Sequence, residues 1–382
     1  VKIVADENIP FLEKFFGPLG HVTCLPGREI VAEDLRDADV LIVRSVTKVD
    51  KQLLEYSNLK FVGTCTIGTD HLDLDYLKQR NIPYASAPGG NANSVVEYLL
   101  SSLSILSESL GLDFGQLSIG IVGYGNIGSL LAKRLRLLGI AYKACDPLLN
   151  ESMQDDYGLV SFEEVLQCDV VTLHVPLTRN GEHATHHLLD EARLLQLNAK
   201  QVLINTSRGE VVDNEALRQR LEQPDAPTVI LDVWENEPCI DPVLARQVFL
   251  GTPHIAGYSF DGKVAGTEII YQRLCQCLGL PTRYKAAQFL EEPPLSTMSF
   301  TSTASPEWCL HTAIRACFDV RHDHSLLMRT MHLAPEKRAY AFDHLRKTYR
   351  CRREFSGVKI QLKNGDSALH SQFKGLGFKL KA

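Results

Sequence analysis

At 382 residues, 45% hydrophobic and 23% charged, the chain has the make-up of an ordinary globular protein with room for two or three cores. A net charge of −6 argues against general affinity for nucleic acid, which requires a basic surface to neutralise phosphates. Ten scattered cysteines, of which only Cys275 and Cys277 lie close, exclude a small disulfide-built scaffold and point to reduced thiols in a cytoplasm; no charged-then-apolar leader opens the sequence, and no apolar run reaches the roughly 18 residues of a membrane span.

In chain order, short apolar runs at Lys2 to Ala5, Val22 to Leu25, Val40 to Val43, Phe61 to Gly63 and Pro83 to Ala85 alternate with helix-like stretches such as Phe11 to Leu19, which predicts a first α/β unit. Asn93 to Leu110, free of glycine and proline and apolar on one face, predicts a long linking helix. The run Leu117 to Val122 then meets Gly123-Tyr-Gly125-Asn-Ile-Gly128, and an amphipathic stretch, Ile127 to Leu138, follows. A strand, a tight glycine turn and a helix start make a dinucleotide cradle: the first glycine permits the turn, the second lets backbone approach a pyrophosphate, and the third lets helix pack on strand. The next strand, Ala141 to Cys145, ends in Asp146, 18 residues past Gly128. An acid at that spacing binds the ribose hydroxyls of NAD and repels the 2′-phosphate of NADP.

Strand-like runs recur at Val170 to His174, Gln201 to Asn205 and Thr228 to Asp232, with helices at Phe162 to Gln167 and Asn214 to Leu221 between them. The chain is expected to return to its first unit with a helix from about Gly262 to Leu278. The Ser/Thr-rich stretch Ser296 to Ser305 reads as part of a linker, followed by helices at Glu307 to Phe318 and Pro335 to Tyr349, the strand Val358 to Leu362 and a short end, Phe373 to Leu380. The predicted fold is α/β, with two doubly wound parallel-sheet domains and a small α+β C-terminal domain. The boundaries are 1–92 with 257–283 for a substrate-binding domain, 93–256 for the NAD domain, and 284–382 for a C-terminal unit that pairs two subunits.

Ligands of such sheets lie beyond the carboxyl ends of the strands. Three ends carry chemistry: Thr206-Ser207-Arg208-Gly209 after Asn205, Asp232-Val-Trp-Glu-Asn-Glu237 after Leu231, and Thr252-Pro-His254 after Gly251. Taken singly, such an arginine is more often a surface ion-pair partner, and such a histidine a structural donor. Together they suit oxidation of an alcohol beside a carboxylate. Arg208 clamps the carboxylate in two-point fashion, His254 takes the hydroxyl proton, and Glu237 orients His254 and favours its protonated form. Asp232 suits a contact to the nicotinamide carboxamide. Arg44 is the first-unit cation available to a substrate phosphate.

These motifs, with Val211-Val-Asp213 and Thr252-Pro-His-Ile-Ala-Gly257, resemble the D-isomer-specific 2-hydroxyacid dehydrogenases over about the first 280 residues. The resemblance implies flavodoxin-like and Rossmann-like lobes, with Arg208, Glu237 and His254 as the catalytic trio. It also implies NAD contacts at Gly123, Gly125, Asn126, Ile127, Gly128, Asp146, Val175, Thr206, Ser207, Arg208, Asp232 and Gly257. Val43-Arg-Ser-Val-Thr-Lys48, Gly63 to His71 and His254 to Ser259 narrow the likeness to members acting on a phosphorylated D-2-hydroxy acid, 4-phospho-D-erythronate or 3-phospho-D-glycerate, and place Ser45, Thr66 and Tyr258 on substrate. They also imply a homodimer through the C-terminal unit. An NAD(H)-sensing corepressor is the alternative of another class.

From Glu336 onward there are twelve Lys or Arg against four Asp or Glu. A solvated basic face accounts for this, or Arg346 or Lys347 reaches a partner's cleft to hold substrate phosphate. His183, His186, His187, His322 and His324 are expected on exposed loops without supporting carboxylates, and no metal is expected.

Overall fold

The computed structural model describes residues 1–113, 115–152, 158–363 and 367–381. They form two compact units, 1–93 with 258–292, and 94–257 with 293–382.

In the first unit, β1 (Lys2–Asp6), β2 (His21–Leu25), β3 (Val40–Val43), β4 (Phe61–Thr64) and β5 (Tyr84–Ala85) form a parallel sheet in the order β2-β1-β3-β4-β5. Both faces of this sheet are covered. Ile3, Ala5, Val40 and Ile42 enter one core, while Val4, Leu41 and Val43 enter the other. Successive residues thus bury on opposite sides, so the strands read as unbroken apolar runs. The helix Phe260–Cys277 places Val264, Ile270, Tyr271 and Leu274 in the first of these cores. Ser259 starts it, its hydroxyl accepting the Gly262 N–H at 2.8 Å.

In the second unit, β6 (Ser118–Val122), β7 (Ala141–Cys145), β8 (Val170–Leu173), β9 (Val202–Asn205), β10 (Thr228–Leu231) and β11 (Leu250–Gly251) are parallel in the order β11-β10-β9-β8-β6-β7. The order reverses at β6, which lies between β7 and β8. The glycine turn follows β6, so the cradle opens at the switch point where doubly wound sheets bind ligands. One core gathers Val122, Leu173, Leu203, Leu231 and Trp234, and it also takes Leu327, Met331 and Phe342 from the last ninety residues.

Those last residues carry a third parallel sheet, β12 (Thr297–Phe300), β13 (Lys359–Leu362) and β14 (Lys379–Leu380). Helices Pro306–Cys317, Val320–Thr330 and Pro335–Lys347 lie between β12 and β13, and Ser367–Leu376 lies between β13 and β14. Two features differ from expectation. The segment read as linker contains β12, because Met298 and Phe300 alternate with exposed Thr297 and Ser299, a strand period hidden in polar composition. The histidines at 322 and 324 lie on a helix rather than a loop, capped by Asp319, whose carboxylate accepts the Arg321 N–H. His324 is turned inward, with Nδ1 accepting the Gly251 N–H at 3.0 Å, and burial pushes its imidazole below the ordinary range.

Candidate active site

The three glycines of the cradle are needed for three different reasons. Gly123 has φ +93°, and a Cβ there would lie 2.6 Å from the His174 carbonyl oxygen and 3.0 Å from Val175 Cγ1. A Cβ on Gly128 would lie 2.0 Å from the Gly123 carbonyl oxygen, so helix and turn touch only through glycine. A Cβ on Gly125 would meet nothing within 4 Å, so this side of the turn is open to a pyrophosphate. Asn126, Ile127 and Gly128 open the helix Asn126–Leu138, where unbonded N–H groups favour an anion. Asp146 stands beside the turn, accepting the Tyr124 N–H at 2.9 Å and the Leu149 N–H at 3.2 Å. An open glycine edge, a helix start and a fixed acid fit a dinucleotide.

Beyond β10 and β11, the sequence Thr252 to Ala256 wraps around Asp232. The Asp232 carboxylate accepts the Thr252 hydroxyl at 2.6 Å and the N–H groups of Ile255 and Ala256 at 2.7 and 2.9 Å, while its carbonyl accepts the His254 N–H at 2.7 Å. These bonds hold His254 at φ +56°, a left-handed conformation that costs a non-glycine residue about 1–2 kcal/mol. Asp232 is buried, and burial outweighs its donors and pushes the carboxyl above the ordinary range. Its oxygens thus serve the turn that displays His254.

His254 Nδ1 lies 2.7 Å from Glu237 Oε2, and Glu237 Oε1 accepts the Trp234 N–H at 2.9 Å. Burial pushes Glu237 up, but His254, the Trp234 N–H and the Arg346 charge together hold it below the ordinary carboxylate range. An ionised carboxylate only accepts, so Nδ1 carries the proton toward it and Nε2 is left as the base. Arg346 comes from the helix Pro335–Lys347, whose Phe342 shares a core with Trp234 and Ile240. Its charge therefore bears on Glu237 of its own chain, where the sequence had suggested a partner's cleft.

Arg208 lies at the end of β9, in a loop shaped by Asn205. The Asn205 side chain accepts from Ser207 N and Oγ and donates to the Arg208 carbonyl at 2.8 Å. Next to it, a Cβ on Gly209 would sit 2.0 Å from Trp234 C and O. This contact brings the loop carrying Thr206, Ser207 and Arg208 against the segment leading to Glu237.

In the first unit, Arg44 and Ser45 follow β3 and Thr66 follows the adjacent β4, so they share one sheet edge. Arg44 Nε and Nη2 donate to the buried Asp6 carboxylate at 2.8 and 3.3 Å, so its charge is partly balanced. Thr66 Oγ1 is 2.7 Å from Thr64 Oγ1, which bonds His71 Nε2 at 2.9 Å. The Lys263 ammonium lies 4.6 Å from the centre of the Tyr258 ring.

Two histidines join the second unit's site, His187, which the sequence set aside, and His174, which it did not single out. His187, expected to lack carboxylates, has Nε2 2.7 Å from Glu235 Oε1 and Nδ1 3.5 Å from Asp213, residues remote in sequence. The three donor groups lie within 4.8 Å of one another. The two ring nitrogens face different carboxylates, and the cluster pins the turn that carries Glu237. His174 ends β8 beside the cradle, 3.0 Å from Thr172 Oγ1 and 3.4 Å from Thr206 Oγ1, and burial pushes its imidazole down to about 3. A strand-end position was its only signal.

His174 predicts an acid-sensitive fold. The unfolded chain protonates this group near 6.5 and the folded one only near about 3, so its stabilisation is complete above 6.5 and is lost as pH falls toward 3. The residue as a whole is half-buried, so the loss stays under the ~1.4 kcal/mol per pH unit of one full proton. Urea midpoints at neutral and mildly acid pH should differ less for His174→Gln than for the parent; equal acid losses would refute this.

Residues 105–256 match the family model for the D-isomer specific 2-hydroxyacid dehydrogenase NAD binding domain, and residues 289–377 match a domain of unknown function, DUF3410. In fold, the chain is similar to 3-phosphoglycerate dehydrogenase of Entamoeba histolytica (TM-score 0.62, 23% identity, 73% of this chain and 95% of that one). It is likewise similar to D-lactate dehydrogenase of Aquifex aeolicus (TM-score 0.59, 24% identity, 73% and 96%). In sequence it is 54% identical over 382 residues to erythronate-4-phosphate dehydrogenase of Hahella chejuensis, covering 100% of both chains. It is 52% identical over 381 residues to that of Marinobacter nauticus, covering 99% of both. With that identity along its whole length, and the strand-end residues of the wider family in place, the chain belongs to the erythronate-4-phosphate dehydrogenases of the D-isomer-specific 2-hydroxyacid dehydrogenase family.

Proposed function

We propose that the protein oxidises 4-phospho-D-erythronate at C2 to (R)-3-hydroxy-2-oxo-4-phosphobutanoate, with NAD as cofactor, in vitamin B6 (pyridoxal 5′-phosphate) biosynthesis. The observation that carries this reading is the His254–Glu237 pair at 2.7 Å, in a chain so similar to that enzyme over its full length. NAD, when bound, accepts the hydride from C2. Gly123, Gly125, Asn126, Ile127 and Gly128 receive its pyrophosphate, Asp146 its ribose, and Val175, Thr206, Ser207, Arg208, Asp232 and Gly257 line the rest. Arg208 holds the substrate carboxylate in a planar, two-point clamp. His254 Nε2 takes the C2 hydroxyl proton, and Glu237 stabilises the resulting imidazolium. Ser45, Thr66 and Tyr258 contact the substrate, and Arg44 supplies charge toward its phosphate. A protein that only sensed NAD(H) would have no use for the His254–Glu237 pair.

The C-terminal unit is read as the surface that pairs two subunits. This fits β12, an edge strand beside the exposed Trp308. Ten cysteines without a disulfide fit a reducing cytoplasm. The test is nicotinamide reduction by purified protein with NAD and either 4-phospho-D-erythronate or 3-phospho-D-glycerate. Turnover with the first should exceed that with the second by about 10²-fold or more, the discrimination available when a site's polar groups lose their partners. Comparable rates, or turnover of phosphoglycerate alone, would overturn the assignment.

A further inference from the structure

Arg352, in the basic tail that the sequence read as a solvated face, is almost completely buried, 3% exposed, within Arg350-Cys-Arg-Arg353. Its guanidinium lies 4.1 Å from the centre of the Phe318 ring. One nitrogen, Nη2, donates both to the Ser94 carbonyl at 2.8 Å and to the Ala256 carbonyl at 3.1 Å. These two carbonyls are remote in sequence but alike in topology. The chain leaves its first unit between residues 93 and 94, re-enters it between 257 and 258 and leaves it again between 292 and 293, so Arg352 grips the second unit beside the first two of these crossings. Neighbouring bonds strengthen the grip: Ser94 Oγ donates to Glu354 Oε1 at 3.0 Å, and the Phe355 N–H donates to Glu97 Oε1 at 2.8 Å.

Ala256 is the link to chemistry. Its N–H is held by the Asp232 carboxylate and its C=O by Arg352, so the residue two places after His254 is fixed from both sides. The left-handed turn at His254 needs such outside support to persist. A buried cation is costly unless partnered, and here Nη2 serves two carbonyls and the guanidinium plane lies over an aromatic face, while the buried Nε and Nη1 make no hydrogen bond among the described residues, so the position of the group rests on those two carbonyls and the ring.

We propose that Arg352 is a positioning residue for the reaction: from the C-terminal segment it fixes the Ala256 carbonyl, and with it the turn that presents His254, while tying that turn to Ser94 at the other crossing. The C-terminal unit is thereby part of the catalytic apparatus of its own chain. A tie needed only for folding would alter stability and leave kcat alone.

The inference rests on the dehydrogenase reading, and the parent protein's turnover, measured alongside, separates failure of that reading from failure of this one. In Arg352→Ala, kcat should fall by about 10- to 100-fold, as a small misplacement of a reacting group would produce. KM for NAD should stay within about twofold, because uniform binding is untouched. Added guanidinium chloride, but not sodium chloride at equal ionic strength, should restore part of kcat. Hydrogen exchange at 254–257, which needs no substrate, should quicken. Arg352→Lys, which keeps the charge but not the fork, gives the same readouts should the alanine variant not fold. A kcat within about twofold of the parent's in a folded variant, or a loss of kcat with unchanged exchange at 254–257, overturns the proposal.

Discussion

Replacing His254 by alanine is expected to lower kcat by about 10³-fold, within the range that a positioned general base contributes, while NAD affinity changes less than about twofold. The two outcomes separate because the groups involved are separate. The cradle is built from β6, Gly123 to Gly128 and Asp146, whose carboxylate accepts the Tyr124 and Leu149 N–H groups. The imidazole instead faces Glu237, whose carboxylate keeps the Trp234 N–H and the nearby Arg346 charge after the substitution. Steady-state reduction of NAD and calorimetric binding of NAD check the two halves. A kcat within tenfold of the parent's would remove His254 from the role of base.

Substitution of Gly209 by alanine should be the most damaging change of a single methyl group near this site. The added Cβ would lie 2.0 Å from Trp234 C and O and 2.5 Å from Glu235 N. All three are backbone atoms, so no rotamer change relieves the overlap and one chain segment must move. Trp234 resists, because it is buried and its indole N–H donates to the Thr252 carbonyl at 2.9 Å. The loop that carries Arg208 is then displaced from the segment that carries Glu237. A shift of this kind should lower kcat/KM by about 10²-fold. Overpacking should reduce stability by ~1–3 kcal/mol. Thermal unfolding and kinetics on the same preparation would show it, and a variant matching the parent in both would disprove the close contact.

How much of this was legible in the sequence depended on the range of the interaction. Strand positions were readable because a two-faced sheet demands unbroken apolar runs, as at Val40 to Val43 and Val202 to Ile204. The positions of Arg208, Glu237 and His254 were readable too, because strand ends in a doubly wound sheet collect ligands. Pairings across the fold were not readable. Asp232 was seen as a strand-end acid facing a cofactor; that its oxygens also hold Thr252, Ile255 and Ala256, some twenty residues on, was not. His187 meets Glu235 across 48 residues, and Arg44 meets Asp6 across 38, where neither periodicity nor spacing leaves a mark. The helix Val320–Thr330 was missed because its charged surface obscured a narrow buried stripe of Val320, Asp323, Leu327 and Thr330.

Ser94 and Ala256 accept hydrogen bonds from one and the same nitrogen, so the entrance and exit of the long inserted segment lie side by side. Within the second unit, Ser94 and Ala256 are held together as the two ends of a closed loop are, so little closure entropy is left for the chain between them to supply. One arginine from the end of the chain thus acts as a clasp that joins the two ends of the nucleotide-binding segment.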